Sequence, residues 1–286
     1  MENISGNVPS IRLWGKELSV ADLTSVQGEY LSRFTDQTIP LVEWVWGEMD
    51  RVWNELQLDS RRSLKGQKIG EFYSHPIWIL NGVFTATDPV SVQNRKAIAA
   101  TLFRLGVVDI ADYGGGFGEL AKNIHAVNPD ARIDIVEPFP SKVGANQVGN
   151  LDGIRFTKDF KGLFDCVVAQ DVLEHIERPL ELAVRMVNAT KPDGFLIFAN
   201  CFSPVIKCHL PSTFYLRHTF SYVAQALGLT FIGRIDGADY ALIFKHSGDI
   251  DHKKLRRRMI IAKAIGPVLN ILRPFLGNIK RMGSRK

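Results

Sequence analysis

Apolar and polar positions follow two rhythms along this chain. From Pro40 to Leu58 the residues Val42, Val45, Met49, Val52 and Leu56 recur at helical spacing, flanked by Trp46 and Trp53, and predict an amphipathic helix with an aromatic-rich face. Residues 1–35 are weakly periodic, with a short helix expected from Val20 to Phe34. Arg61 to Lys68 reads as a polar, basic loop, followed by the aromatic segment Phe72 to Trp78. Asp88-Pro89-Val90 has the chemistry of a helix start, and Val92 to Leu105 the spacing of the helix itself. Short apolar runs then take over: Val107 to Ala111, Arg132 to Glu137, Ile154 to Thr157, Phe164 to Ala169 and Phe195 to Asn200. Helical patterns at Glu119 to Val127 and Pro179 to Ala189 separate some of them, so strands alternate with helices as in a parallel sheet covered on both faces. Phe220 to Leu227 reads as helical. Leu229 to Ile235 and Tyr240 to Lys245 then form two strands around an Asp236-Gly237-Ala238-Asp239 turn.

The first of these runs ends in Asp112-Tyr113-Gly114-Gly115-Gly116-Phe117-Gly118. Asp112 is expected to end the strand where the chain leaves the sheet for solvent. Gly114, Gly116 and Gly118 lack a Cβ, so their backbone can take positive φ and approach a ligand at the start of the next helix. A dinucleotide fingerprint from Gly114 would need a glycine at position 119, which is Glu119. Acids at both ends of the turn suit a ligand carrying an ammonium group better than a pyrophosphate. S-adenosylmethionine is such a ligand.

With this acid followed by G-x-G-x-G, the sequence resembles the class I S-adenosylmethionine-dependent methyltransferases, and the resemblance runs through about half the chain. It implies an α/β fold with a Rossmann-like, seven-stranded, mostly parallel sheet and helices on both faces. Glu137 ends the second strand about 20 residues beyond the glycines, where an acid can accept both ribose hydroxyls of an adenosine, with Pro138 beside it. By the same resemblance Asp159 bonds the adenine amino group and the Phe160 N–H a ring nitrogen, with Asp152 as a competitor. Gln170 and Asp171 follow the fourth strand, at the sheet edge where ligands sit. The Leu173-Glu174-His175-Ile176 segment is typical of small-molecule O- and C-methyltransferases. Asp171 and His175 are four residues apart, on one helical face, which makes His175 the candidate general base. The plain alternative is a structural histidine. Lys191-Pro192-Asp193-Gly194 before the fifth strand also fits the family.

Acceptor-reading candidates come by position. Tyr73, His75 and Trp78 precede the first strand, where similar enzymes cover their cofactor; packing is the competing explanation for each. The insert from Cys201 to Phe220 holds His209, Tyr215, Arg217 and His218. The resemblance implies methyl transfer to a small-molecule, glycan or lipid-linked acceptor, with a hydroxyl favoured. The rivals are a nicotinamide-dependent oxidoreductase, against which the misplaced third glycine counts, and a non-catalytic binding protein on the same fold.

Composition adds four constraints. With 286 residues, 45% of them hydrophobic, the chain can bury one sizeable core with appendages. No apolar run is long enough to span a bilayer and residues 1–10 lack a secretory pattern, so the cytoplasm is the expected compartment. Cys166, Cys201 and Cys208 lack C-x-x-C spacing, and neither a disulfide nor a metal site is expected. The net charge of +5 is uneven: Asp249 to Lys286 holds 11 Lys/Arg against 2 Asp/Glu and carries +9, which leaves −4 on the rest. The basic pI therefore belongs to the tail, and no nucleic-acid module accompanies it. Gly266, Pro267 and Pro274 are expected to interrupt any single helix there. Two readings of residues 251–286 stand together: a solvated basic extension, and an interfacial anchor at an anionic membrane. The expected organisation is a helical cap over residues 1–87, a methyltransferase domain over 88–247 and a basic amphipathic tail over 248–286; oligomeric state is left open.

Overall fold

The computed structural model describes residues 9–35, 37–64, 66–149 and 151–283, with 274–283 described by backbone alone. The expectations for residues 1–8 and for the apolar side chains Phe275 and Leu276 lie outside what is described. Among the described residues, nine strands and ten α-helices follow in chain order: β1 Ser10–Leu13, β2 Lys16–Ser19, α1 Ser25–Ser32, α2 Val42–Glu55, α3 Gln67–Ser74, α4 Ile77–Thr87, α5 Pro89–Arg104, β3 Asp109–Tyr113, α6 Glu119–Val127, β4 Arg132–Val136, α7 Lys142–Val148, β5 Ile154–Thr157, β6 Phe164–Gln170, α8 Pro179–Asn188, β7 Thr190–Ala199, α9 Phe220–Ala224, β8 Leu229–Ile235, β9 Ala238–His246 and α10 His252–Gly283. The sheet has seven strands in the order β5-β4-β3-β6-β7-β9-β8, and β1 pairs with β2 in a separate hairpin. β3–β4, β4–β5 and β6–β7 are parallel, while β9 runs antiparallel to β7.

Two compact units divide the chain. The first holds the described residues of Met1–Leu58, Lys65–Lys161 and Asp236–Ala238, and the second Asp59–Leu64, Gly162–Ile235 and Asp239–Lys286. In the first, α5 starts as its sequence dictates, with Asp88 accepting the Ser91 N–H at 2.8 Å and Pro89 in the first turn. Ile110 and Ala111 of β3 and Ile133 and Ile135 of β4 are fully buried, as strands covered on both faces require. Gly82 of α4 lies so close to Phe117 that an added Cβ would meet its ring at 2.8 Å, which seats α4 on the glycine turn.

Several expectations need correction. The N-terminal region is not wholly helical: a β-hairpin precedes α1, and Val20–Asp22 forms only a 3-10 turn. α3 covers part of the expected loop and aromatic segment, because Ile69, Phe72 and Tyr73 repeat at helical spacing and Phe72 is fully buried against Trp53, their rings 5.0 Å apart. Residues 172–176 do not make an α-helix. Asp171 takes φ 53°, and only a 3-10 turn spans Leu173–His175, so helical spacing does not set how Asp171 and His175 face. In the tail, α10 runs through Gly266, Pro267 and Pro274. An interior proline costs a helix ~3 kcal/mol or more, and tertiary docking outweighs it here. α10 packs on the 3-10 turns Pro211–Leu216 and Gln225–Leu227, with Ala262 fully buried and Gly266 against the Tyr215 backbone.

Candidate functional site

In the first unit the site is built around the end of β3. Asp112 does not meet solvent: it is 1% exposed, on a strand that continues to Tyr113, and its Oδ2 makes no hydrogen bond among the described residues. Burial, and then the charge of Glu137, push its pKa up to about 7, against a smaller opposing pull from Arg95. The turn beyond it is tight at two positions. A Cβ on Gly115 would run into the Asp112 carboxylate and meet Ile135 at 3.0 Å, and one on Gly118 would meet Val148 at 2.7 Å and Ile135 at 2.8 Å. Gly114, Gly116 and Gly118 have φ of 73°, 53° and 72°, the left-handed region that glycine enters without strain. Gly118 is the N-cap of α6.

Glu137 reaches back to this turn. Its Oε2 accepts the Gly116 N–H at 3.3 Å and its Oε1 the Phe139 N–H at 3.1 Å; burial raises its pKa and the two amides oppose that. Pro138 follows, exposed. Phe160 stacks on Tyr113, ring centroids 5.5 Å apart, while the Phe160 N–H donates to the Asp159 carboxylate at 2.8 Å. The structure thus ties Glu137 to Gly116, brings its charge to bear on Asp112, and sets Phe160 against the residue following Asp112. Glu119, expected to complement a ligand's ammonium group, is engaged by Lys122 at 2.7 Å and Lys16 at 3.3 Å. His75 serves its own helix start: its Nδ1 accepts the Ile77 N–H at 3.0 Å, and its ring meets Tyr30 edge-on at 5.1 Å.

The chemistry at the end of β6 lies in the second unit. Gln170 donates to the Tyr240 hydroxyl at 2.8 Å. Asn200 Oδ1 accepts the N–H groups of Val172 at 3.4 Å and Leu173 at 3.0 Å, shaping the turn that follows Asp171. The Leu210 N–H donates to the Glu174 carbonyl at 2.9 Å, tying the loop after β7 back to that turn. His175 and His209 come together in this way, with ring centroids 4.8 Å apart at 77°. Each points its Nδ1 at a backbone carbonyl, His175 at Cys208 (3.1 Å) and His209 at Ser203 (2.8 Å). A carbonyl only accepts, so each Nδ1 carries the proton and each Nε2 the lone pair. Burial, then the charge of His209, push the His175 pKa down to about 3. That makes its imidazole a weak proton acceptor. Glu174 is fully buried, its Oε1 accepts the Cys201 N–H at 2.6 Å, and its pKa is pushed up to about 8 by burial and then by the charge of Asp171.

Of the other acceptor candidates, Tyr215 faces α10, with Lys263 Nζ 5.7 Å from its ring centroid, and Arg217 is exposed. Neither joins the histidine pair. Gly115, Asn200 and the Cys201 amide carry parts of the site that no sequence signal assigned to them. Gly115 alone had a hint, the unbroken run of three glycines.

Residues 92–231 match the family model described as a methyltransferase domain. Over 188 residues the chain is 26% identical to the malonyl-[acyl-carrier protein] O-methyltransferase of Halalkalibacterium halodurans, covering 61% of this chain and 65% of that protein. Among solved structures, an O-methyltransferase family protein from Burkholderia thailandensis superposes with a TM-score of 0.53 at 16% identity, covering 79% of this chain and 77% of that one. Human N-acetylserotonin methyltransferase, in complex with S-adenosylmethionine, gives 0.50 at 16% identity, covering 79% and 73%. These likenesses show the fold. Residues 92–231 belong to the class I, S-adenosylmethionine-dependent methyltransferases. Within that class, the similar proteins named here include O-methyltransferases.

Proposed function

We propose that the protein transfers the methyl group of S-adenosylmethionine to a hydroxyl oxygen of a small molecule. One observation carries the cofactor assignment: a fully buried carboxylate, Asp112, with an oxygen left without a hydrogen bond under a glycine turn that Glu137 clasps from the other side. That donor set fits the group. Asp112 would face its ammonium end, Glu137 its ribose hydroxyls, and Phe160 with Asp159 its adenine. When bound, S-adenosylmethionine supplies a methyl on a sulfonium that is already an activated leaving group. The chain's task is then mainly to hold the acceptor at near-attack distance and exclude water. With a pKa near 3, His175 suits binding and orienting the acceptor better than taking its proton. A hydroxyl acceptor is favoured because the curated relative and the first structural neighbour are both described as O-methyltransferases. The test is incubation with methyl-labelled S-adenosylmethionine and a panel of phenols, sugars, carboxylic acids and amines; label should pass to a hydroxyl compound. Label on amines alone would overturn the acceptor class.

A second reading concerns the tail. Ile260, Ile261, Ile265, Val268, Ile271 and Leu272 of α10 are all exposed. At about 100° per residue they fall within an arc of about 140° on one side of the helix. No helix among the described residues is long and apolar enough to cross a membrane. An apolar stripe on a strongly basic helix instead suits an anionic lipid surface, each basic residue contributing ~1 kcal/mol near it. A lipid-linked acceptor would be brought to the enzyme in this way.

A further inference from the structure

We propose that Glu174, His175 and His209 form a binding site for a divalent first-row transition ion, zinc foremost. One donor atom from each lies within 4.8 Å of the other two. Ligand atoms bound at about 2.0–2.2 Å to one ion stand about 3–3.5 Å apart, so small side-chain rotations close the set. Two imidazoles and one carboxylate, with positions left open, are the donor chemistry of such an ion rather than of magnesium or calcium.

Three independent features prepare these side chains as ligands. Both histidines are held by their Nδ1–H groups on backbone carbonyls, His175 on Cys208 and His209 on Ser203, and this leaves Nε2 as the lone-pair atom in each. The same outer contact orients metal-binding histidines in general. The Glu174 carboxylate is anchored through Oε1 by the Cys201 amide, while Oε2, fully buried, makes no hydrogen bond among the described residues. A buried carboxylate oxygen in that state is costly unless a cation takes it. Finally, the charges balance: a dication offsets Glu174 and the nearby Asp171, which faces it electrostatically. Of the three, His175 is the one that is partly exposed. Bound there, an acceptor hydroxyl would have its pKa lowered by the ion. This role rests on the methyl-transfer reading above; the binding of the ion does not.

The experiment uses the full-length protein, stripped with a chelator and titrated with Zn2+ by calorimetry and with Co2+ by visible absorption. Glu174→Gln and His209→Ala are treated alike, and S-adenosylmethionine is titrated into every form. One ion per chain is expected, with affinity reduced more than about 100-fold in each variant and cofactor binding retained. In the unmodified protein, the 15N resonances of two histidine Nε2 atoms should shift on adding Zn2+ while their Nδ1 atoms stay protonated. Absence of stoichiometric binding, unchanged affinity in both variants, or unshifted histidine resonances would each overturn the site. Ion binding in a protein that ignores S-adenosylmethionine would uphold the site and sink the methyl-transfer reading instead.

Discussion

Glu137 takes the backbone N–H of Gly116 at 3.3 Å, across 21 residues of sequence. The end of β4 is thereby fixed to the turn after β3, and the acid that would receive ribose hydroxyls is held in place before any ligand arrives. Glu137→Ala removes both this tether and the acceptor oxygens. A hydrogen bond to a charged group contributes roughly 1.5–3 kcal/mol, so affinity for S-adenosylhomocysteine should fall about 10- to 100-fold, as read by calorimetry. The Phe139 amide loses its acceptor as well, so a small loss of melting temperature should accompany it.

The proposed placing of Asp112 at the cofactor's ammonium group predicts binding that is sensitive to pH. Its pKa is raised to about 7, above the ordinary carboxylate value near 4, by burial and by Glu137, with Arg95 as the one opposing charge. A group raised in this way binds a proton more tightly in the folded state. Stability of the ligand-free protein should therefore fall as pH rises from about 4 to about 7. A cationic ligand group favours the ionised carboxylate, so affinity for S-adenosylmethionine should rise by up to about tenfold per unit below pH 7 and then level off. Calorimetry in buffers of different ionisation enthalpy should show a proton released on binding near neutrality. Asp112→Asn should flatten both profiles while weakening binding at pH 8.

Gly115 has no room for a side chain. Its Cβ would have to displace the Asp112 carboxylate or Ile135, both held in the buried end of the sheet. Overpacking of this kind costs ~1–3 kcal/mol. Gly115→Ala should lower the melting temperature by several degrees and abolish detectable cofactor binding. At Gly70, where an added Cβ meets nothing, the same change should be tolerated on both counts.

How much of this was legible in the chain differs by element. α6 and β5 carry the ends expected from sequence, because a strong local period and a clear glycine or acid boundary coincide there. The β1–β2 hairpin was not foreseen. Its four-residue strands are polar at most positions, and so short a stretch carries little period-two signal. Asp112 was expected in solvent because acids generally are; only the sheet packed around it shows the burial. His209 was one candidate among several in its loop, and what singles it out is the Leu210 amide on the Glu174 carbonyl, a tertiary contact with no local trace. α10 defeated the rule that proline ends a helix, since docking on the turn Pro211–Leu216 sustains it.

The exposed stripe of α10 gives a prediction that leaves the docked side intact. Ile260→Asp combined with Ile271→Asp alters two of its most exposed apolar positions, at 61% and 64%. The doubly substituted protein should keep its melting temperature within about 2 °C, since exposed substitutions change stability little. It should lose cosedimentation with vesicles containing phosphatidylserine at low salt. Equal pelleting of both forms would remove the interfacial reading of the tail.

The central claim is that the β3–β4 edge holds an adenosyl cofactor for methyl transfer. Its most direct test is calorimetric titration of the purified full-length protein with S-adenosylmethionine, S-adenosylhomocysteine and NAD in parallel, repeated on Glu137→Ala. The account predicts one adenosyl ligand per chain, weakened in the variant, and no heat from NAD. Binding of NAD alone, or adenosyl binding unchanged in the variant, would contradict it.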